Sequence, residues 1–185
     1  MRIFFGIAFP ETIKEQLKKE ATICQAYCEK GRFMQEENFH LTLRFIGEVE
    51  PSMVETFQQI LEETAAKVAP FQIHLTGLGR FSKRGGDILF RGLRRERGLG
   101  GLVRHLDRAF KSKGFPVEKM PFRPHVTLAR RIYWANGFET VQREVKLDDL
   151  EIDVKQIVIM ESVRVKGELI YRPITHANLN KQTEE

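Results

Sequence analysis

Twice, 85 residues apart, this chain writes a histidine, an apolar spacer, a threonine and a leucine: FHLTLRFIG at 39–47 and RPHVTLAR at 123–130. Alternation of apolar and polar residues with a period of two marks a strand that packs one face and leaves the other available. A chain that repeats such a strand at this distance reads as two similar strand–helix units, each contributing one His-x-Thr strand. Chance does not account for the pair, because five histidines and ten threonines in 185 residues give roughly 0.3 His-x-Thr triplets. A third copy, His74-Leu75-Thr76, runs straight into Gly77-Leu78-Gly79 without a partner repeat, so His74 is not expected to be catalytic. His105, in a basic helix, and His176, near the end, are expected at the surface.

The rest of the chain alternates short strands with amphipathic helices. Arg2–Ala8 reads as a strand, and Pro10 then opens a helix to about Cys28. Residues 38–46 form the first motif strand. A helix follows from Ser52, with Ser52 and Glu55 spaced as a capping box and Phe57, Ile60, Leu61, Thr64 and Val68 on one face. Phe71–Leu78 and Ile88–Leu93 read as strands joined by FSKRGGD. Leu99, Leu102, Val103, Leu106 and Phe110 form a helical stripe that ends at Gly114. Strands are expected at 122–130, 151–163 and 167–174, and a disordered tail at 178–185. No Pro-, Gly- or Ser-rich linker divides the chain. The expectation is therefore one α+β body, 1–177, in which each half is a strand–helix unit carrying one motif.

No apolar run approaches the ~20 residues of a membrane span, and the start, MRIFFGIAFPE, lacks the basic leader of a signal peptide. A cytoplasmic protein is expected, with Cys24 and Cys28 as reduced core residues. The net charge of +5 hides an asymmetry: Arg80–Arg131 holds 15 Lys/Arg against 4 Asp/Glu. Such a run is either solvated surface or a seat for an anion, most naturally nucleic acid phosphate.

On a strand, His40 and Thr42 project together while Phe39, Leu41 and Leu43 turn inward; His125 and Thr127 do the same with Val126 and Leu128 behind them. Two such platforms face to face hold two imidazoles and two hydroxyls around one small polar group. That arrangement suits phosphodiester cleavage: one neutral imidazole takes a proton from water, one protonated imidazole gives a proton to the leaving oxygen, and hydroxyls donate to non-bridging oxygens. Neither a metal nor another cofactor is called for, and there is no P-loop or Gly-x-Ser-x-Gly elbow.

HLTL at 40–43 and HVTL at 125–128 resemble the paired signatures of the two-histidine (2H) phosphoesterases. With MRIFFGIAFP, FHLTLRFIGEV, FQIHLTGLGRF and FRPHVTLAR, the chain resembles the LigT/ThpR group over about residues 1–174. These are the RNA 2′,3′-cyclic phosphodiesterases, formerly called 2′-5′ RNA ligases. The resemblance implies a bilobal α+β fold: two antiparallel sheets with outer helices around a central cleft, related by a pseudo-twofold axis. It implies metal-free hydrolysis of RNA or oligonucleotide 2′,3′-cyclic phosphate ends to 2′-phosphomonoesters. His40 would be the acid, His125 the base, Thr42 and Thr127 phosphate ligands, Phe45 a base-stacking ring and Arg130 a phosphate-side arginine. Strict alternation puts Phe45 on the core side with Leu43 and Arg130 opposite Thr127, so these two roles require each strand to bend or end there, which Gly47 and the Arg130-Arg131 pair permit. A monomer is expected. Rival readings are a 2′-5′ ligase or phosphodiesterase, an enzyme for another cyclic phosphate, and a non-catalytic RNA-end-binding module.

Overall fold

Arg2–Ala8 (β1) is apolar on both faces, with Phe4 and Phe5 both buried, which marks it as an interior strand rather than an edge. The computed structural model, which describes residues 1–117 and 119–180, places it inside a four-stranded antiparallel sheet of order β3-β1-β8-β9. The partners are β3 (His40–Glu48), β8 (Gln156–Val165) and β9 (Glu168–Asn178). A second antiparallel sheet of five strands has the order β2-β6-β5-β4-β7. Its strands are β2 (Cys28–Phe33), β4 (Phe71–Phe81), β5 (Asp87–Leu93), β6 (His125–Trp134) and β7 (Leu150–Val154).

Each sheet keeps one face for helices. Helices α2 (Val54–Ala65) and α3 (Arg97–Ser112) lie behind the first sheet, where Phe5 of β1 meets Phe57 and Phe110 edge-on at 6.3 and 5.2 Å. Helix α1 (Glu11–Gln25) covers β2 and β6, and α4 (Phe138–Glu144) packs on β4. Leu17, Ala21 and Cys24 of α1 and Leu99, Leu102 and Leu106 of α3 belong to one continuous hydrophobic cluster reaching both sheets. A buried ion pair crosses it: Arg91 Nη1 of β5 donates to Glu20 Oε2 of α1 at 2.5 Å, while its other nitrogens bond the carbonyls of Thr76, Leu75 and Asp148. Full burial of a guanidinium is tolerable only when its donors are met in this way. Both cysteines are free, and burial pushes Cys24 up to about 12 and Cys28 up to about 11.

Several sequence expectations are corrected. The first helix ends at Gln25, and Cys28 opens an edge strand, β2, whose exposed CEKGRF carries no apolar alternation. Ser52 lies in a short 3-10 turn and makes no cap bond, because backbone contacts such as Met53 N–H to the Glu50 carbonyl serve the helix start. The expected strand 151–163 is two strands in different sheets, divided at Lys155. The last strand continues to Asn178 and the expected tail begins inside the fold: Leu179 is buried, and Asn180 N–H donates to the Ala65 carbonyl at 3.0 Å. Residues 181–185 of that tail lie outside the described residues. The sheets are also not the two halves of the chain, since both ends of the sequence supply the first sheet. Among the described residues no helix is long and apolar enough to cross a membrane.

Candidate active site

His40 and His125 each begin a strand, and each imidazole sits over the carbonyl two residues behind it. His40 Nδ1 lies 2.7 Å from the Asn38 carbonyl, and His125 Nδ1 lies 2.8 Å from that of Arg123. A carbonyl only accepts, so Nδ1 carries the proton on both rings and Nε2 is left for the cleft. His40 Nε2 is 2.9 Å from Thr42 Oγ1. Paired aromatic walls fix the ring planes. Phe4 and Tyr171 stand with centroids 4.8 Å from His40, and Phe81 and Phe90 at 4.9 and 5.4 Å from His125. Gly79 makes the second wall possible, because a Cβ there would collide with the Phe90 ring.

The bends that Phe45 and Arg130 require are β-bulges, at matching places. On β3 the pairing jumps from Gly6↔Thr42 to Phe5↔Arg44, leaving Leu43 as the extra residue. On β6 it jumps from Phe90↔Thr127 to Leu89↔Ala129, leaving Leu128. One extra residue reverses the alternation beyond it. The third residue after each threonine, Phe45 on one strand and Arg130 on the other, therefore turns back to the cleft side. Gly6 lets the first bulge approach, since a Cβ there would stand 2.9 Å from the Leu41 carbonyl oxygen.

All six residues singled out from the sequence, His40, Thr42, Phe45, His125, Thr127 and Arg130, line one cleft of about 670 Å³ between the sheets. Sequence reasoning missed Arg2, Phe4, Ser162, Arg164 and Tyr171, which line it too. The parity that pairs Arg2 with Phe4 on β1 was legible, whereas Ser162, Arg164 and Tyr171 depend on which edge β8 and β9 join. His74 lies elsewhere on β4, held between Glu96 at Nδ1 and Glu151 at Nε2, the latter at 3.0 Å.

Four of the fifteen cations in the basic run are committed to carboxylates. Arg80 pairs with Asp87 and Glu139, Arg91 with Glu20, Arg94 with Asp149 and Lys113 with Glu63. From Arg80–Arg131, only Arg130 among the cationic side chains lines the cleft. Arg2, Arg130 and Arg164 form no ion pair among the described residues. The cleft is consequently cationic at its walls and buried at its histidines. Burial pushes His40 down to about 4, helped by Arg130 and His125 and opposed by the Asn38 carbonyl. His125 is lowered for the same reason, burial first, then Arg130, against the Arg123 carbonyl. Both imidazoles thus favour the neutral form until an anion enters.

A family model described as the 2′-5′ RNA ligase superfamily matches residues 9–166. A Geobacillus stearothermophilus protein named RNA 2′,3′-cyclic phosphodiesterase is 38% identical over 129 residues, 69% of this chain, though the match spans only 41% of that protein. A protein of the same name from Aeropyrum pernix is 34% identical over 149 residues, 76% of this chain and 82% of its own length. Among solved structures, Escherichia coli LigT complexed with 3′-AMP superposes with a TM-score of 0.78 at 25% identity, over 97% of this chain and 98% of that one. With two His-x-Thr strands set across one cleft in the same fold, the chain belongs to the 2′-5′ RNA ligase superfamily.

Proposed function

We propose that this protein hydrolyses 2′,3′-cyclic phosphate ends of RNA to 2′-phosphomonoesters by acid–base catalysis between His40 and His125. The observation that carries the reading is the pair of imidazoles, each with Nδ1 committed to a backbone carbonyl and Nε2 turned to the shared cleft, that of His40 beside Thr42 Oγ1. Relatives named RNA 2′,3′-cyclic phosphodiesterase support the substrate. The reading keeps the cytoplasmic monomer expected from the sequence.

In this mechanism neutral His125 Nε2 takes a proton from water as its oxygen bonds to phosphorus. The P–O3′ bond breaks, and His40 Nε2–H delivers a proton to O3′, leaving a 2′-phosphomonoester and a free 3′-hydroxyl. Thr42 and Thr127 donate to the non-bridging oxygens, Arg130 faces the charge and Phe45 stacks the base. His40 is the more depressed of the two histidines, which opposes its holding the acid's proton in the empty cleft. The bound phosphate anion reverses that balance by favouring the imidazolium.

The test is incubation with a short RNA ending in a 2′,3′-cyclic phosphate, with EDTA present, and identification of the product by phosphorus NMR. A 2′-phosphomonoester is expected, with losses on the order of 10²–10⁴-fold in His40→Ala and in His125→Ala. Near wild-type turnover by either variant, or activity abolished by EDTA, sinks the mechanism. RNA bound but left intact would make the protein an end-binding module.

A further inference from the structure

Three arginines line the cleft, yet the cyclic phosphate is a single monoanion, and Arg130 with the two motif threonines already serves it. Arg2 and Arg164 are the surplus. Neither is neutralised: the Arg2 guanidinium lies over the Phe45 ring at 4.9 Å, and Arg164 Nη1 donates only to the Gly167 carbonyl at 3.2 Å. Glu48 also lines the cleft and stands opposite Arg2 in the β1–β3 register, but its carboxylate is turned to the terminal amine at 3.7 Å.

Register places the two arginines together. β1 and β8 pair Phe4↔Met160 and Ile3↔Glu161, so Arg2 falls opposite Ser162. Arg164 follows two residues later on the same face, roughly 6.6 Å along the strand. His40 and Thr42 sit against Ala8 and Gly6 at the other end of β1, with Phe4 and Phe45 paired between. The order along the sheet is therefore imidazole and hydroxyl, then the aromatic pair, then two guanidiniums with a serine hydroxyl.

We propose that Arg2, Ser162 and Arg164 form a second phosphate subsite, which takes the phosphate on the 5′ side of the terminal nucleotide. It rests on the proposed function, with the cyclic phosphate between the histidines and the base on Phe45. Guanidinium and hydroxyl donors suit a phosphate that is held but not cleaved. That phosphate is either an internucleotide diester or a 5′-monoester.

Three substrates separate these cases: cytidine 2′,3′-cyclic phosphate, the same nucleotide carrying a 5′-phosphate, and a dinucleotide ending in the cyclic phosphate. The wild type should show a roughly tenfold higher kcat/KM for a substrate with the 5′-side phosphate, gained through KM, as charge-assisted bonds give. Arg2→Gln combined with Arg164→Gln should remove that ratio, and both side chains are exposed enough to be replaced without disturbing the core. An advantage for the dinucleotide alone, lost in the double variant, assigns the subsite to the internucleotide diester; an equal advantage for both assigns it to either phosphate. No advantage in the wild type, or one that survives in the double variant, overturns the subsite. Calorimetric binding of cytidine 2′-phosphate with and without a 5′-phosphate reads the same ratio without turnover. A protein that cleaves none of the substrates would end the proposed function and still decide the subsite.

Discussion

Asn38 and Arg123 hold equivalent places beneath the two imidazoles but are not equally fixed. Asn38 is buried, its Nδ2 donating to the Leu169 carbonyl at 2.7 Å and its Oδ1 accepting from Tyr171 N–H at 3.0 Å, so β9 anchors the carbonyl under His40. Arg123 is exposed and precedes β6. The nearly identical HLTL and HVTL thus sit in unequal surroundings, with the deeper burial on His40. Because both histidines lie below the ordinary 6.5, the singly protonated pair is populated on the acid side of that value in the free enzyme. The pH profile of kcat/KM should be a bell centred below 6.5, reporting two macroscopic constants of the pair. The kcat profile, which reports the complex, should be displaced upward by the bound anion. Coincident profiles centred above neutrality would contradict this electrostatic account.

At the scale of elements, His74 joins three of them: it sits on β4 and holds Glu96 at the start of α3 and Glu151 of β7. Bonds to Glu96 first and Glu151 second raise its proton affinity, against burial and Arg94. A raised folded value stabilises fully below the unfolded 6.5 and is lost as pH rises through the folded value above it. His74→Ala should therefore lower the urea midpoint more at pH 6 than at pH 9, with kcat nearly unchanged; a large loss of kcat would restore the third triplet to the site. That the third triplet stands apart from the other two was legible from its missing partner repeat, and the two motif strands from their alternation. The bulges were not, because an extra residue leaves no mark in composition and shows only against the partner strand. β2 escaped for a similar reason: an exposed edge strand gains its structure from pairing with β6 rather than from its own apolar period. α4 spans only seven residues, too few for a helical stripe to stand out. Lys155 divides the expected strand 151–163 because only the sheets decide where each part pairs.

Over the whole molecule, the excess of positive charge in Arg80–Arg131 brings only Arg130 to the cleft. Four of its cations pair with carboxylates, and the exposed Arg104 and Arg108 of α3 stand behind the first sheet, away from the cleft. Salt should weaken oligonucleotide KM with a log–log slope of about 0.7 per phosphate engaged in the cleft, and Arg104→Gln with Arg108→Gln should leave that slope unchanged. A shallower slope in this variant would place RNA on the helix. The sheet that carries His40 has an order in time as well as in space. Its first two strands leave the ribosome early, but β8, which covers the inner edge of β1, comes only with residues 156–165, and β9, which anchors Asn38, after it. A chain that ends between residues 134 and 155 thus carries both histidines without β8 beside β1 and without the Tyr171 and Asn38 contacts that β9 supplies at His40. In the proposed function the two histidines of such a chain stand idle, and the opening of a cyclic phosphate begins only when β8 and β9 have joined β1 in the sheet.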